Sequence, residues 1–172
     1  MWSILIMSST SGVSTRIRSL LTAAVLAAGV VVVISPPAYA TVPAVQITKI
    51  YYNSPGSPDS GMNGSLNGEY VQVKNVTRKS VSLKGWTMRD KTSRSDHIYT
   101  FGSFTLKAGK TITLRTGKGK NTTTVHYWGR SGGGTFAYIW NQSSDTAYLR
   151  NASGRLVDSC AYNSSRDDYK IC

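Results

Sequence analysis

After Ala40 no stretch of the chain carries sustained helical periodicity; short runs rich in Val, Ile, Thr and Tyr alternate with clusters of Gly, Asn and Ser. That pattern predicts an all-β sandwich or barrel of short strands. Eight candidate strands follow: Val45 to Tyr52, Glu69 to Asn75, Ser80 to Arg89, His97 to Phe101, Thr111 to Arg115, Thr123 to Trp128, Thr146 to Arg150 and Leu156 to Tyr162. In the second, Val71 and Val73 face one way and Tyr70, Gln72 and Lys74 the other, which is the alternation of a half-buried strand. In the third, Trp86 and Met88 fall out of phase with Val81 and Leu83, and Gly85 at the slip predicts a bulge. Asn151 to Gly154 reads as a tight hairpin turn. The segments 53–68, 116–122 and 129–134 read as loops.

The first 40 residues differ from all that follow. Arg16 and Arg18 precede an apolar run from Leu20 to Ile34, Pro36 and Pro37 break it, and Ala38-Tyr39-Ala40 supplies a small-x-small cleavage pattern. A signal peptide over residues 1–40 is expected, with the start at Met1 or at Met7. A membrane anchor is the rival reading, but the run falls short of the roughly 18–20 residues that span a bilayer, so no span is expected once the signal is removed. The expected location is secreted, extracellular or associated with the cell wall.

Removing 40 residues from 172 leaves 132, the size of one domain, and removes Arg16 and Arg18, so 18 Lys and Arg face 8 Asp and Glu for a net charge of +10. Such a balance favours anionic partners. In an exported chain Cys160 and Cys172 are expected to form a disulfide that ties the tail to the last strand. Two cysteines without nearby histidines are too few for a zinc site, and no metal or other cofactor is expected.

Taken in order, Asn67-Gly68-Glu69-Tyr70-Val71-Gln72-Val73-Lys74-Asn75 and Leu83-Lys84-Gly85-Trp86-Thr87-Met88-Arg89-Asp90 form a pattern that resembles the lamin tail domain in its secreted bacterial form. The resemblance continues through Tyr99-Thr100-Phe101, Leu106 to Lys110, Thr116-Gly117-Lys118-Gly119, Tyr127-Trp128-Gly129, Ile139-Trp140-Asn141, Asp145 to Arg150 and Leu156-Val157-Asp158. It covers about Val45 to Tyr162. It implies an immunoglobulin-like β-sandwich. Nuclear members of that family are associated with binding DNA, chromatin and proteins, whereas bacterial members often accompany nuclease or wall-associated domains; fold alone does not fix function. The sequence departs from the pattern at Gln72, where the family often has an acidic residue, at Ala108, where it often has Pro, and in the tail from Cys160 to Cys172.

Catalysis requires groups brought together with shifted proton affinities, and few are on offer. His97 and His126 sit on predicted strands with no motif around them and read as polar residues on a solvated sheet face. No nucleophile elbow, HExxH or P-loop occurs, so no catalytic residue is assigned and the chain is not expected to be an enzyme. Glu69 and Asp90 read as strand-end groups bonding nearby backbone. A calcium site at Asn53, Asp59 and Asn63 has too few carboxylates and no matching spacing. Trp128, Tyr138 and Trp140 flank the glycine loop; they either anchor it or, if exposed, stack on sugars or bases.

Charge placement is the most unusual feature. Between Asp96 and Asp145 there is no acidic residue, while Lys107, Lys110, Arg115, Lys118, Lys120 and Arg130 all lie there. A solvated face is one reading; a polyanion-binding surface is the functional one. The expected function is therefore a non-catalytic module attaching to an anionic polymer, DNA or a cell-wall polymer. The alternative is a structural or protein-interaction module of the cell surface that uses a sheet edge or exposed aromatics. Oligomeric state is not legible.

Overall fold

The computed structural model describes residues 42–54 and 59–172. The signal peptide, its cleavage site and the choice of start lie outside the described residues.

Eleven strands form two packed sheets and a small ribbon. They are β1 (Val45–Tyr51), β2 (Tyr70–Asn75), β3 (Val81–Ser82), β4 (Thr87–Arg89), β5 (Ile98–Thr100), β6 (Thr105–Leu106), β7 (Thr111–Arg115), β8 (Val125–Tyr127), β9 (Ser144–Arg150), β10 (Leu156–Asn163) and β11 (Tyr169–Ile171). A five-stranded sheet runs β11-β1-β2-β7-β8, a four-stranded sheet runs β10-β9-β4-β5, and β3 pairs with β6 alone. This is a sandwich of short strands as alternation predicts, and the immunoglobulin-like one that the resemblance implies, with more and shorter strands than the eight proposed.

Alternation places the core. Val71 and Val73 of β2 and Ile112 and Leu114 of β7 face inward against Met88 of β4 and Ala147 and Leu149 of β9, all buried. Phe101, Ile139, Trp140 and Tyr162 close the ends of the same cluster. Large-to-small substitution at such positions costs about 2–5 kcal/mol, so the inward set fixes the register of each strand.

Two local irregularities differ from expectation. Gly85 is no bulge: it sits at φ +75° in a turn closed by Trp86 N donating to Leu83 O at 2.9 Å. That left-handed position favours glycine, and the turn splits the proposed third strand into β3, in the ribbon, and β4, in the sandwich. The bulges fall instead between Ile47 and Lys49 and between Leu156 and Asp158. The first has a consequence for the surface. Val45 and Ile47 face inward, and simple alternation would send Lys49 and Tyr51 inward as well. The extra residue, Thr48, resets the phase so that Ile50 returns to the core while Lys49 pairs with Gln72 and Tyr51 with Tyr70 on the outer face.

The segment 53–68 also holds more order than a loop, because a single helical turn, Asn63–Leu66, buries Leu66. The Asn151–Gly154 turn is as expected, with Gly154 N donating to Asn151 O at 2.9 Å.

Cys160 and Cys172 are bonded to each other. Cys160 lies on β10, the edge of one sheet, and Cys172 follows β11, the edge of the other, so the bond clips the two sheets together along one side. The tail it ties down is itself a strand, with Lys49 opposite Ile171 and Tyr51 opposite Tyr169. Three residue pairs are a weak ladder on their own. Closing a loop of this size contributes on the order of 3 kcal/mol in the chain-entropy model. Cys172→Ser is expected to lower unfolding free energy by about that amount and to raise amide exchange at Tyr169–Ile171 while Tyr70–Asn75 stays protected. Unchanged protection at 169–171 would mean that the ladder holds β11 unaided.

Candidate functional site

The basic stretch is built around β7. Ile112 and Leu114 point into the core, which turns Thr111, Thr113 and Arg115 onto the outer face of the five-stranded sheet. Lys107 and Lys110 occupy the turn entering β7 and Lys118 and Lys120 the loop leaving it; all four are exposed. Five residue steps of extended chain lead from Lys110 to Arg115, roughly 17 Å at ~3.4 Å per step. The two groups of cations therefore stand at opposite ends of one strand.

The exit loop is held in shape. Lys118 N donates to Asn63 Oδ1 at 2.6 Å, and its carbonyl accepts from Asn63 Nδ2 and Asn67 Nδ2, both at 3.1 Å. Gly119 lies directly on the Tyr127 ring, where a Cβ would overlap the ring carbons. Backbone fixed in this way leaves the Lys118 and Lys120 side chains free.

Arg130 does not join this surface. Its side chain is only 17% exposed, pairs with Asp96 at 2.6 Å and donates to Phe136 O and Ala137 O at 2.9 and 3.2 Å. It fastens the glycine-rich connection between β8 and β9. Asp96 also binds Arg94 at 2.7 Å, and the two guanidinium groups hold its carboxyl well below the usual carboxylate range.

The aromatic candidates anchor rather than contact. Trp140 is buried in the core, and Trp128 packs edge-on to it at 6.1 Å with Nε1 donating to Asp96 O at 3.3 Å. The Tyr138 hydroxyl bonds Ser65 Oγ at 2.6 Å.

A different aromatic set marks the outer face. Cross-strand pairing aligns Tyr169, Tyr51, Tyr70, Arg115 and Tyr127 in one row over all five strands. Tyr51 stacks on Tyr70 at 5.3 Å and on Tyr169 at 5.9 Å. The Arg115 guanidinium lies 5.6 Å from the Tyr70 ring centre, and Lys49 Nζ 4.1 Å from that of Tyr169. The next row is Ile171, Lys49, Gln72, Thr113 and Val125, and beyond it Lys74 pairs with Thr111. Lys49 and Lys74 lie far from the basic stretch in sequence, and only strand pairing brings them to it. Neither row contains a carboxylate.

The carboxylates are elsewhere, and several are inside. Asp145 is buried and takes donors from Lys91 N, Asn141 N and Nδ2, and Thr146 N. Asp90 is buried too, accepts from Thr92 N at 3.0 Å and lies 2.6 Å from His97 Nδ1. His97 is thus no solvated surface residue, and His126 is likewise buried, against Phe104 and within 3.0 Å of the Tyr99 hydroxyl. Burial lowers the His126 proton affinity. Glu69 does far more than open a strand. It is fully buried and accepts from Thr116 Oγ1 at 2.5 Å, Ile139 N at 2.8 Å and Trp140 N at 3.2 Å.

The sequence matches a known family: the model of the lamin tail domain covers residues 38–164. The chain belongs to the lamin tail domain family. Lamin tail domains are immunoglobulin-like binding and structural modules, non-catalytic as a family. The strand-by-strand resemblance over Val45 to Tyr162 falls within the matched span, and β11 with Cys172 lies beyond it. No curated protein matches the chain.

The buried acid of this lamin tail domain has a measurable signature. Desolvation raises the Glu69 pKa from 4.5 to about 8, outweighing the three donors that favour its charge. The folded protein then keeps a proton that the unfolded chain releases. Stability from this group is full below about 4.5 and is lost as pH rises toward about 8. Glu69→Gln is expected to remove a one-proton slope, about 1.4 kcal/mol per pH unit, from denaturation profiles in that window. Parallel profiles for wild type and variant would place the Glu69 pKa near its ordinary value.

Proposed function

We propose that the protein is a secreted, non-catalytic binding module that attaches to an anionic polymer, extracellular DNA or a cell-wall polymer, through the outer face of its five-stranded sheet. The observation that carries this reading is the outer face itself. Lys49, Lys74 and Arg115 project from three adjacent strands, Lys107, Lys110, Lys118 and Lys120 border them, and no carboxylate interrupts the rows. Export is supported by Arg16, Arg18 and the Leu20–Ile34 run ahead of Ala38-Tyr39-Ala40, and by a disulfide of the kind that persists in oxidising compartments.

Spacing suits a phosphate chain. The roughly 17 Å from Lys110 to Arg115 corresponds to about five nucleotide steps at ~3.4 Å per step. Sheet and loop cations would meet phosphates, which position a protein without specifying sequence, and no helix among the described residues is longer than about one turn, too short to read a major groove. Tyr169 and Ile171, exposed on the edge strand β11, favour a second reading in which that edge receives a protein partner.

Salt decides between them. With four to six cations engaged, log affinity for duplex DNA should fall with log salt at a slope of roughly −4 to −5. Lys118→Ala with Lys120→Ala should lower the slope by about 2, and Arg130→Ala should leave it unchanged, since that guanidinium is already paired. The same titration on an anionic wall polymer ranks the two polyanions. Binding to neither at ~50 mM salt, or binding without salt dependence, discards the polyanion reading in favour of the β11 edge.

A further inference from the structure

A second site lies away from the basic face, where the connection leaving β4 meets the segment entering β9. A cleft of about 380 Å³ opens there, lined by Asp59, Asp90, His97, Phe136, Trp140 and Gln142 among others. Its volume is that of a small-ligand cleft, about 300–1,000 Å³ in general. Its chemistry is unlike that of the sheet face.

Two polar atoms in its wall are buried and without a partner among the described residues: His97 Nε2 and Asp59 Oδ1. The His97 side chain is 9% exposed, and its other nitrogen is fixed. Asp90 already accepts from Thr92 N at 3.0 Å and Thr92 Oγ1 at 2.8 Å, so this acceptor-only carboxylate takes its remaining hydrogen bond from His97 Nδ1–H at 2.6 Å. That assigns the tautomer. In the neutral ring Nε2 then carries a lone pair. Asp59 Oδ2 is engaged by Gln142 Nε2, which leaves Oδ1 as a second open acceptor. A buried acceptor left without a donor is destabilising, so both call for a donor from outside the fold.

The rim supplies the other half of the chemistry. Phe136 is 78% exposed, a large apolar ring left in solvent beside the two acceptors. A ligand that meets this set needs hydrogen-bond donors on one side and an apolar face on the other. An anion would face Asp59 and Asp90 across the cleft. A cation would have to approach a chain whose expected mature charge is +10. An uncharged polyhydroxyl ring satisfies each condition, with hydroxyls for the acceptors and C–H groups for the aromatic face.

We propose that this cleft binds an uncharged saccharide unit, with His97 Nε2 and Asp59 Oδ1 accepting hydroxyl hydrogen bonds and Phe136 packing on the sugar ring. The site is independent of the polyanion face. The test is an NMR titration of the ¹⁵N-labelled, disulfide-bonded protein with cellotetraose, chitotetraose and mannotetraose, following the His97 Nε2 resonance, which moves when its lone pair accepts a hydrogen bond. One of the three should saturate the site with shifts confined to Asp59 and to residues 90–97 and 135–142. Phe136→Ala, at an exposed position and without risk to folding, should weaken that binding about tenfold, the upper range of an aromatic contact. Lys118→Ala with Lys120→Ala should leave it unchanged. Saturation with no Nε2 shift, equal affinity in the Phe136→Ala variant, or no response to any of the three sugars up to their solubility would overturn the proposal and leave the cleft to water.

Discussion

The Glu69 carboxyl group is the contact on which the arrangement of the rest depends. It sits at the entry to β2, inside the sandwich, and takes hydrogen bonds from Thr116, the residue that follows β7, and from two successive amides of the connection leading to β9. Those amides belong to a chain segment that crosses from one sheet to the other, where no ladder is available to satisfy them. Buried backbone donors must be paired, and a carboxyl group can take several at once. Ile139 and Trp140 are thereby set at the end of the core, and Trp128 packs against Trp140. Asp145 and Asp90 repeat the device nearby, Asp145 with the Asn141 and Lys91 amides and Asp90 with Thr92 and His97 in the β4–β5 connection of a single sheet.

Charge distribution follows from that use of acids. A chain with 8 carboxylates that buries Glu69, Asp90 and Asp145 and encloses Asp96 between two arginines has few left to balance its surface lysines. The positive outer face is thus partly a by-product of how the crossings are satisfied. Its placement is a matter of strand order. Because β1, β2 and β7 are interior strands of their sheet, each is paired on both sides, and Lys49, Lys74 and Arg115 are held on that paired backbone. Cations on such rows lose less freedom on binding than cations on a free loop, and the loop carrying Lys118 and Lys120 is steadied at the Lys118 backbone by Asn63 and Asn67.

The legible part of this molecule was whatever alternation and chemistry fix locally. The strand at Thr111–Arg115, the Asn151–Gly154 turn, the disulfide and the family pattern could all be read from neighbouring residues. The inward set of β2 was equally plain. The Thr48 bulge could not be read, because no glycine marks it; it exists since Ile50 and Tyr52 must reach the core after Val45 and Ile47 have used the opposite phase. Gly85 misled for the complementary reason. A phase slip at glycine fits either a bulge or a turn between sheets, and only the partners of β3 and β4 separate the two. Tyr169–Ile171 was too short to signal a strand and gains its order from the disulfide and from Lys49 and Tyr51 opposite.

The surface was half legible for a related reason. A run of cations without acids is visible in one segment, but whether each is free depends on what folds against it. Arg130 belonged to the run and is consumed by Asp96, whereas Lys49 and Lys74 stood outside it and are delivered to the face by β1 and β2. His97 shows the same limit from the other side. A lone histidine with no motif around it gives no sign of burial, yet Asp90, which is seven residues earlier and across the β4–β5 turn, fixes its ring and turns its second nitrogen toward the cleft wall. Pairings made through the fold, and not the spacing of residue types along the chain, decide which polar groups remain to meet a ligand.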